Sequence, residues 1–113
     1  MIRNSIVLVP FPFDDFSTIK VRPALCLTNE VGKFNHVIIA FISSKISSNI
    51  EESEIIISKE SIDGIGTGLT KDSIIKLHKM VAVPRGFIKR KIGGINEHLQ
   101  EKVAEKLRRV FEL

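Results

Sequence analysis

At 113 residues the chain is long enough for one modest hydrophobic core without metal or disulfide staples, and its 43% hydrophobic content excludes a disordered polymer. A formal charge of +4 admits a nucleic-acid or acidic-protein partner without demanding one, and a single cysteine excludes a disulfide framework or a thiolate metal cluster. No apolar run approaches the ~20 residues that span a bilayer, and Met1-Ile2-Arg3-Asn4-Ser5 lacks the pattern of a secretion signal, so a cytoplasmic protein with no membrane partner is expected.

Abundant Ile and Val, with no Trp or Tyr, favour strands over helices. Residues 6–10 open a first strand, and Pro10 and Pro12 demote its far end to an edge or bend, because proline cannot donate to a ladder. A polar link with Asp14, Asp15, Ser17, Thr18 and Lys20 follows, ending on Val21-Arg22-Pro23. A second strand is expected over 23–28, so Arg22 stands where the loop re-enters the sheet, biased toward extended backbone by Pro23. A guanidinium fixed on a rigid strand end is well placed to grip phosphate. Cys26, between Leu25 and Leu27, reads as a small buried thiol. Residues 29–35 form a polar turn around Gly32. Residues 36–43 (HVIIAFIS) are the clearest strand, and their near-continuous apolar character predicts burial on both faces.

That strand ends in Ser43-Ser44-Lys45, and a polar segment runs on to residue 54. A short strand is expected over 54–58 and a helical turn over 59–62. Gly64-Ile-Gly-Thr-Gly68 matches neither the dinucleotide fingerprint nor the Gly-Lys-Ser/Thr phosphate loop, and reads as a flexible connection. Residues 73–77 and 79–83 read as one strand or a bent pair, closed by Pro84-Arg85-Gly86. Lys89-Arg90-Lys91 reads as a solvated basic edge and Gly93-Gly94 as a breaker. Asn96 is the expected N-cap of a helix over 97–113, with Leu99, Val103, Leu107 and Val110 on one face and Glu97, Glu101, Glu105 and Arg109 on another. Several strands followed by one terminal helix predict an α+β, mainly β fold, a compact barrel or rolled sheet forming one domain over 1–113.

Few residues present themselves for chemistry. Neighbouring loop carboxylates such as Asp14-Asp15 seldom converge, and they read as a solvated turn. His36 and His98 read as structural and surface residues. His78 interrupts an apolar strand beside Lys76 and Lys79, which sets polar groups on one sheet face. No metal or cofactor site is expected. Ser43 offers a hydroxyl just past a buried strand, and with Arg22 it would complete a donor pair around one phosphate if strand order brought the two together.

The stretches IVLVPFPF (6–13), KVRPALCLTN (20–29), AFIS (40–43), GLTKDSIIKL (68–77) and IGGI (92–95), in this order, resemble the MazF/PemK family of toxins from toxin–antitoxin pairs. The Arg-Pro pair at 22–23 is the most specific piece. The chain departs from many members at Asn4-Ser5, where they carry Gly-Asp, and at Val81-Ala82, where they carry Arg-Thr. The resemblance implies an SH3-like barrel with a C-terminal helix, found as a homodimer. It implies metal-independent, sequence-selective cleavage of single-stranded RNA, restrained by a cognate antitoxin. The family's catalytic arginine and Thr or Ser fall on Arg22 and Ser43. RNA contacts would come from the loop over 13–21, with Phe13, Phe16 and Lys20, from Ser44 and Lys45, and from the strand carrying His78 and Lys79. The implied reaction is attack of a ribose 2′-OH on its own phosphodiester, leaving a 2′,3′-cyclic phosphate and a 5′-OH. A gyrase-poisoning CcdB-like toxin of the same fold and a catalytically silent RNA- or protein-binding barrel remain open at this point.

Overall fold

The computed structural model describes residues 1–12 and 19–113. Six strands, β1 (Ser5–Pro12), β2 (Ile19–Cys26), β3 (His36–Ser43), β4 (Glu54–Ile57), β5 (Ser73–Pro84) and β6 (Arg90–Gly94), precede one helix, α1 (Glu97–Val110), with a 3₁₀ turn at Arg85–Phe87 before β6. They form a single antiparallel sheet in the order β4-β5-β3-β2-β1-β6. Mostly β with one terminal helix, the curled sheet is the rolled architecture that the order of elements predicts.

Each face of the sheet carries a buried core. On one, Ile6, Leu25, Ala40, Ile42, Ile55, Ile57, Ile75 and Leu77 pack against Ile95, Leu99 and Val103, so α1 covers this core with one apolar stripe. On the other, Val7, Val9, Ala24, Cys26, Val37, Ile39 and Val83 gather with Ile2. Strand β3 alternates between the two cores, which accounts for its nearly unbroken apolar sequence.

The prolines of β1 do not end it. Pro10 pairs with Val21 and Pro12 with Ile19 across to β2, while β6 accompanies β1 only from Ser5 to Leu8. The Leu8 carbonyl accepts the Lys89 N–H at 2.8 Å and so points toward β6; strand alternation turns residues 10 and 12 the same way. Each proline therefore lacks its N–H on the side where, among the described residues, no strand pairs.

Four expectations are corrected. Strand β2 starts at Ile19 instead of 23, so Arg22 lies within the strand and pairs with Val9. Residues 59–62 form successive turns with i→i+3 backbone bonds (Ser61 N–H to Ser58, Gly64 N–H to Ser61) and no helix. The Gly64–Gly68 segment is a packed connection, not a loose one: Gly64 and Thr67 are buried, and the Thr67 hydroxyl donates to the Gly64 carbonyl at 2.7 Å. Gly93-Gly94 does not break the chain but closes β6, because a Cβ on Gly93 would run into the backbone of Gly66 and Thr67.

Helix α1 begins as expected at Asn96. Its Oδ1 accepts the Leu99 N–H at 2.9 Å, and its Nδ2 donates to Asp63 Oδ1 at 3.0 Å. That amide, together with His98 Nδ1 at 2.9 Å from Oδ2, holds the Asp63 carboxyl below the usual aspartate range. The helix ends at Val110, with Leu99 and Val103 buried and Val110 exposed. Replacing Asn96 by Ala removes both bonds, and urea unfolding should register a loss of about 1–2 kcal/mol.

Candidate nucleic-acid interface

The geometry around Arg22 follows from strand register. The β2–β3 ladder pairs Cys26 with Ile39, Leu25 with Ala40 and Ala24 with Phe41. The ladder ends there; continued two residues further along each strand, its register would bring Arg22 opposite Ser43. Alternation puts Arg22 on the face of Ala24 and Cys26, and Ser43 on the face of Ile39 and Phe41, which is one face, that of the Val7–Val9 core. Two residues 21 positions apart in the sequence thus lie at the same end of the sheet on neighbouring strands. Both are partly exposed. The Ser43 Oγ accepts the Lys45 backbone N–H at 3.0 Å, which fixes the oxygen and leaves its proton to donate elsewhere. Ser44, Lys45 and Lys20 are exposed at this same end.

The second group of expected contacts is built differently. Between Ala40↔Met80 and Phe41↔Lys76 the β3–β5 register shifts, so that Leu77, His78 and Lys79 bulge out of the ladder. The Leu77 side chain fills the helix-covered core, while His78 and Lys79 are exposed. His78 Nδ1 lies 2.7 Å from the Ser53 hydroxyl and lines a cleft of about 400 Å³ with Glu51, Glu52, Ser53, Arg109 and Val110. Neither Arg22 nor Ser43 borders that cleft. Arg109 is engaged there by Glu52 at 3.0 Å and Glu105 at 2.7 Å, so the rim offers phosphate little uncompensated positive charge. Phe13, Phe16 and the Asp14-Asp15 pair lie outside the described residues.

Two further groups bear on the site. Cys26 is fully buried, and burial pushes its thiol up to about 11, which keeps it protonated and unreactive at neutral pH. Glu54, on β4, is buried and was not singled out from the sequence. Its Oε1 accepts the Glu51 N–H at 2.8 Å, and its Oε2 faces Lys76 Nζ at 3.5 Å. The Glu51 backbone bond first, and the Lys76 charge after it, hold this carboxyl below the usual glutamate range. Its signal is legible only afterwards, as an acid opening a strand opposite a lysine on the next one. Among the described residues no three His, Cys, Asp or Glu side chains converge as a metal-ligand set, and no helix is long and apolar enough to cross a membrane.

Comparison with known proteins supplies the context for this surface. No sequence among the curated proteins matches the chain. Among solved structures, a Mycobacterium tuberculosis toxin, MazF-mt6, superposes with a TM-score of 0.72 at 23% identity, covering 96% of this chain and 97% of that one. An endoribonuclease solved with its cognate antitoxin, from a mycobacterial species, gives 0.73 at 9% identity over 100% and 96% of the two chains. A further Mtb toxin gives 0.66 at 19% identity over 92% and 97%. These similarities show a shared fold. The sequence model of the PemK-like, MazF-like toxins matches residues 2–111, nearly the whole length. The chain therefore belongs to the PemK-like, MazF-like toxin family of type II toxin–antitoxin systems.

Proposed function

We propose that the protein is the toxin of a toxin–antitoxin pair and acts as a metal-independent, sequence-selective endoribonuclease on single-stranded RNA, with Arg22 and Ser43 as its catalytic residues. The observation that supports this reading is the β2–β3 register, which, continued two residues past Ala24↔Phe41, would bring the Arg22 guanidinium and the Ser43 hydroxyl to one sheet face. In this reading a ribose 2′-oxygen attacks its own phosphorus, and the 5′-oxygen of the next nucleotide departs. A 2′,3′-cyclic phosphate and a 5′-OH are left. Arg22 offers paired N–H donors to the phosphoryl oxygens as charge builds on them, and one N–H can face the departing oxygen. Ser43, its oxygen anchored by the Lys45 N–H, donates to a second phosphoryl oxygen or orients the 2′-OH. Neither residue is a base: a guanidinium keeps its proton in proteins, and so does a serine hydroxyl at neutral pH. His78 is directed to Ser53 and contributes base contacts with Lys79 instead of proton transfer at the scissile phosphate. Phe13, Phe16, Lys20, Ser44 and Lys45 complete the RNA contacts.

The chain works as one domain over 1–113 and as a homodimer, as its family resemblance implies. A cognate antitoxin silences it with an acidic segment occupying the RNA path, in keeping with the antitoxin complex known for the structurally similar mycobacterial endoribonuclease. Incubation of the purified protein with a long single-stranded RNA in EDTA tests the reading. The expected products carry cyclic phosphate and 5′-OH ends. A single 2′-deoxy substitution at the cut site should block cleavage there, and DNA should remain whole. Intact RNA at high protein concentration would overturn the assignment.

A further inference from the structure

A second cationic surface lies on the other side of β1. A cleft of about 300 Å³ is lined by Arg85, Lys89, Arg90 and Lys91, with Glu30 the carboxylate on its wall and the buried Ser5 and Val7 among its floor residues. Its walls are held by backbone bonds. The Lys89 N–H reaches the Leu8 carbonyl at 2.8 Å, the Arg85 N–H the Asn35 carbonyl at 3.0 Å, and the Ile88 N–H the Arg85 carbonyl at 3.1 Å. On the opposite wall Asn29 Oδ1 accepts the N–H groups of Ile2 at 3.1 Å and Arg3 at 2.9 Å. Four cations thus share a built depression with one carboxylate, and among the described residues Glu30 forms its ion pair with Arg85, at 3.5 Å.

Register relates this cleft to Arg22. Lys91 pairs with Val7, Val7 with Ala24, and Ala24 stands two residues from Arg22 on the same face. Two strand spacings across and two residues along correspond to about 12 Å between the backbones of Lys91 and Arg22. We propose that the Arg85–Lys89–Lys91 cleft is a second phosphate-binding site, which holds the backbone of the RNA strand beyond the scissile linkage. The inference rests on the nuclease reading above and adds to it a substrate requirement. RNA long enough to reach both Arg22 and the cleft binds more tightly than RNA that fills the Arg22 end alone. The cleft contributes charge and carries no base preference, since phosphate contacts hold a strand without reading it.

Binding of a 20-nucleotide, fully 2′-O-methylated RNA, which lacks the nucleophile, measured across a salt series tests the proposal. For single strands each phosphate contact contributes about 0.7 to the slope of log affinity against log salt. K89Q/K91Q should lower that slope by about 1.4 and weaken binding roughly tenfold at low salt. E30Q should move the other way and tighten binding, a gain that damage to the fold would not produce. If wild type cleaves RNA and both variants bind with wild-type affinity and slope, the cleft is overturned while the nuclease stands. If wild type neither binds nor cleaves RNA, both readings fall together. Should the double variant keep its RNA slope but lose affinity for an acidic peptide, the surface serves a protein partner and the proposal is wrong.

Discussion

Replacing Arg22 by Ala should lower the single-turnover cleavage rate on the order of 10²–10³-fold while leaving the fold and most of the RNA affinity in place. The magnitude is that of removing one preorganised donor from a developing oxyanion. Affinity should survive because a bound strand is held by many phosphate contacts and loses one. The fold should survive because Arg22 is partly exposed, lies beyond the Ala24↔Phe41 end of the β2–β3 ladder and outside both apolar cores, and alanine keeps its backbone pairing with Val9. Arg22→Lys should recover only part of the rate, since an ammonium supplies the charge without the planar pair of donors. Rapid-quench kinetics on a 5′-labelled RNA, with binding to a 2′-O-methylated analogue measured in parallel, separates the two parameters. A rate unchanged in Arg22→Ala would remove the catalytic role. An equal fall in rate and affinity would make Arg22 a binding residue.

The largest effect on stability is expected at Gly68. Its φ of +76° is in the left-handed region, and a Cβ there would collide with the Ile92 carbonyl, its carbon lying only 2.7 Å away. Gly66 provides the internal comparison: φ is +85°, yet nothing lies within 4 Å of its would-be Cβ. Gly66→Ala carries the conformational cost alone, roughly 1–2 kcal/mol. Gly68→Ala carries that cost and must also push β6 away from the 64–68 segment, for a total above about 4 kcal/mol. Against the ~5–15 kcal/mol that holds a domain together, this approaches global unfolding. Urea midpoints for the two variants would decide the point, and equal losses would show that the packing of Gly68 on Ile92 matters little.

These glycines also show how far the sequence was legible. Strand β3 and the Asn96 cap could be read because their causes are local, an apolar run flanked by turn residues and a capping side chain three positions from the N–H that donates to it. Gly93-Gly94 was misread as a breaker because the reason for the glycines is a tertiary contact with Gly66 and Thr67, which no window of sequence contains. The candidate pair divides the same way. Arg22 stood out through its proline neighbour and Ser43 through its position after a buried strand, but that both lie at one end of neighbouring strands depends on a β2–β3 pairing fixed by side chains in both cores. The bulge that aims His78 at Ser53 rests on three residues dropping out of a ladder, and strand periodicity gives no sign of it. The run Lys89-Arg90-Lys91 was visible as charge; that Arg85 and Glu30 share its cleft was not.

The two prolines of β1 carry a consequence for how copies of the protein meet in solution. A sheet margin usually invites a foreign chain to dock as one more rung, and this can seed fibrils. Along the outer margin of β1, Pro10 and Pro12 offer carbonyl oxygens but no amide hydrogens, so an incoming chain could satisfy only half its needs there. Templated growth along that flank is disfavoured, and a rise in the concentration of the protein does not favour assembly through it.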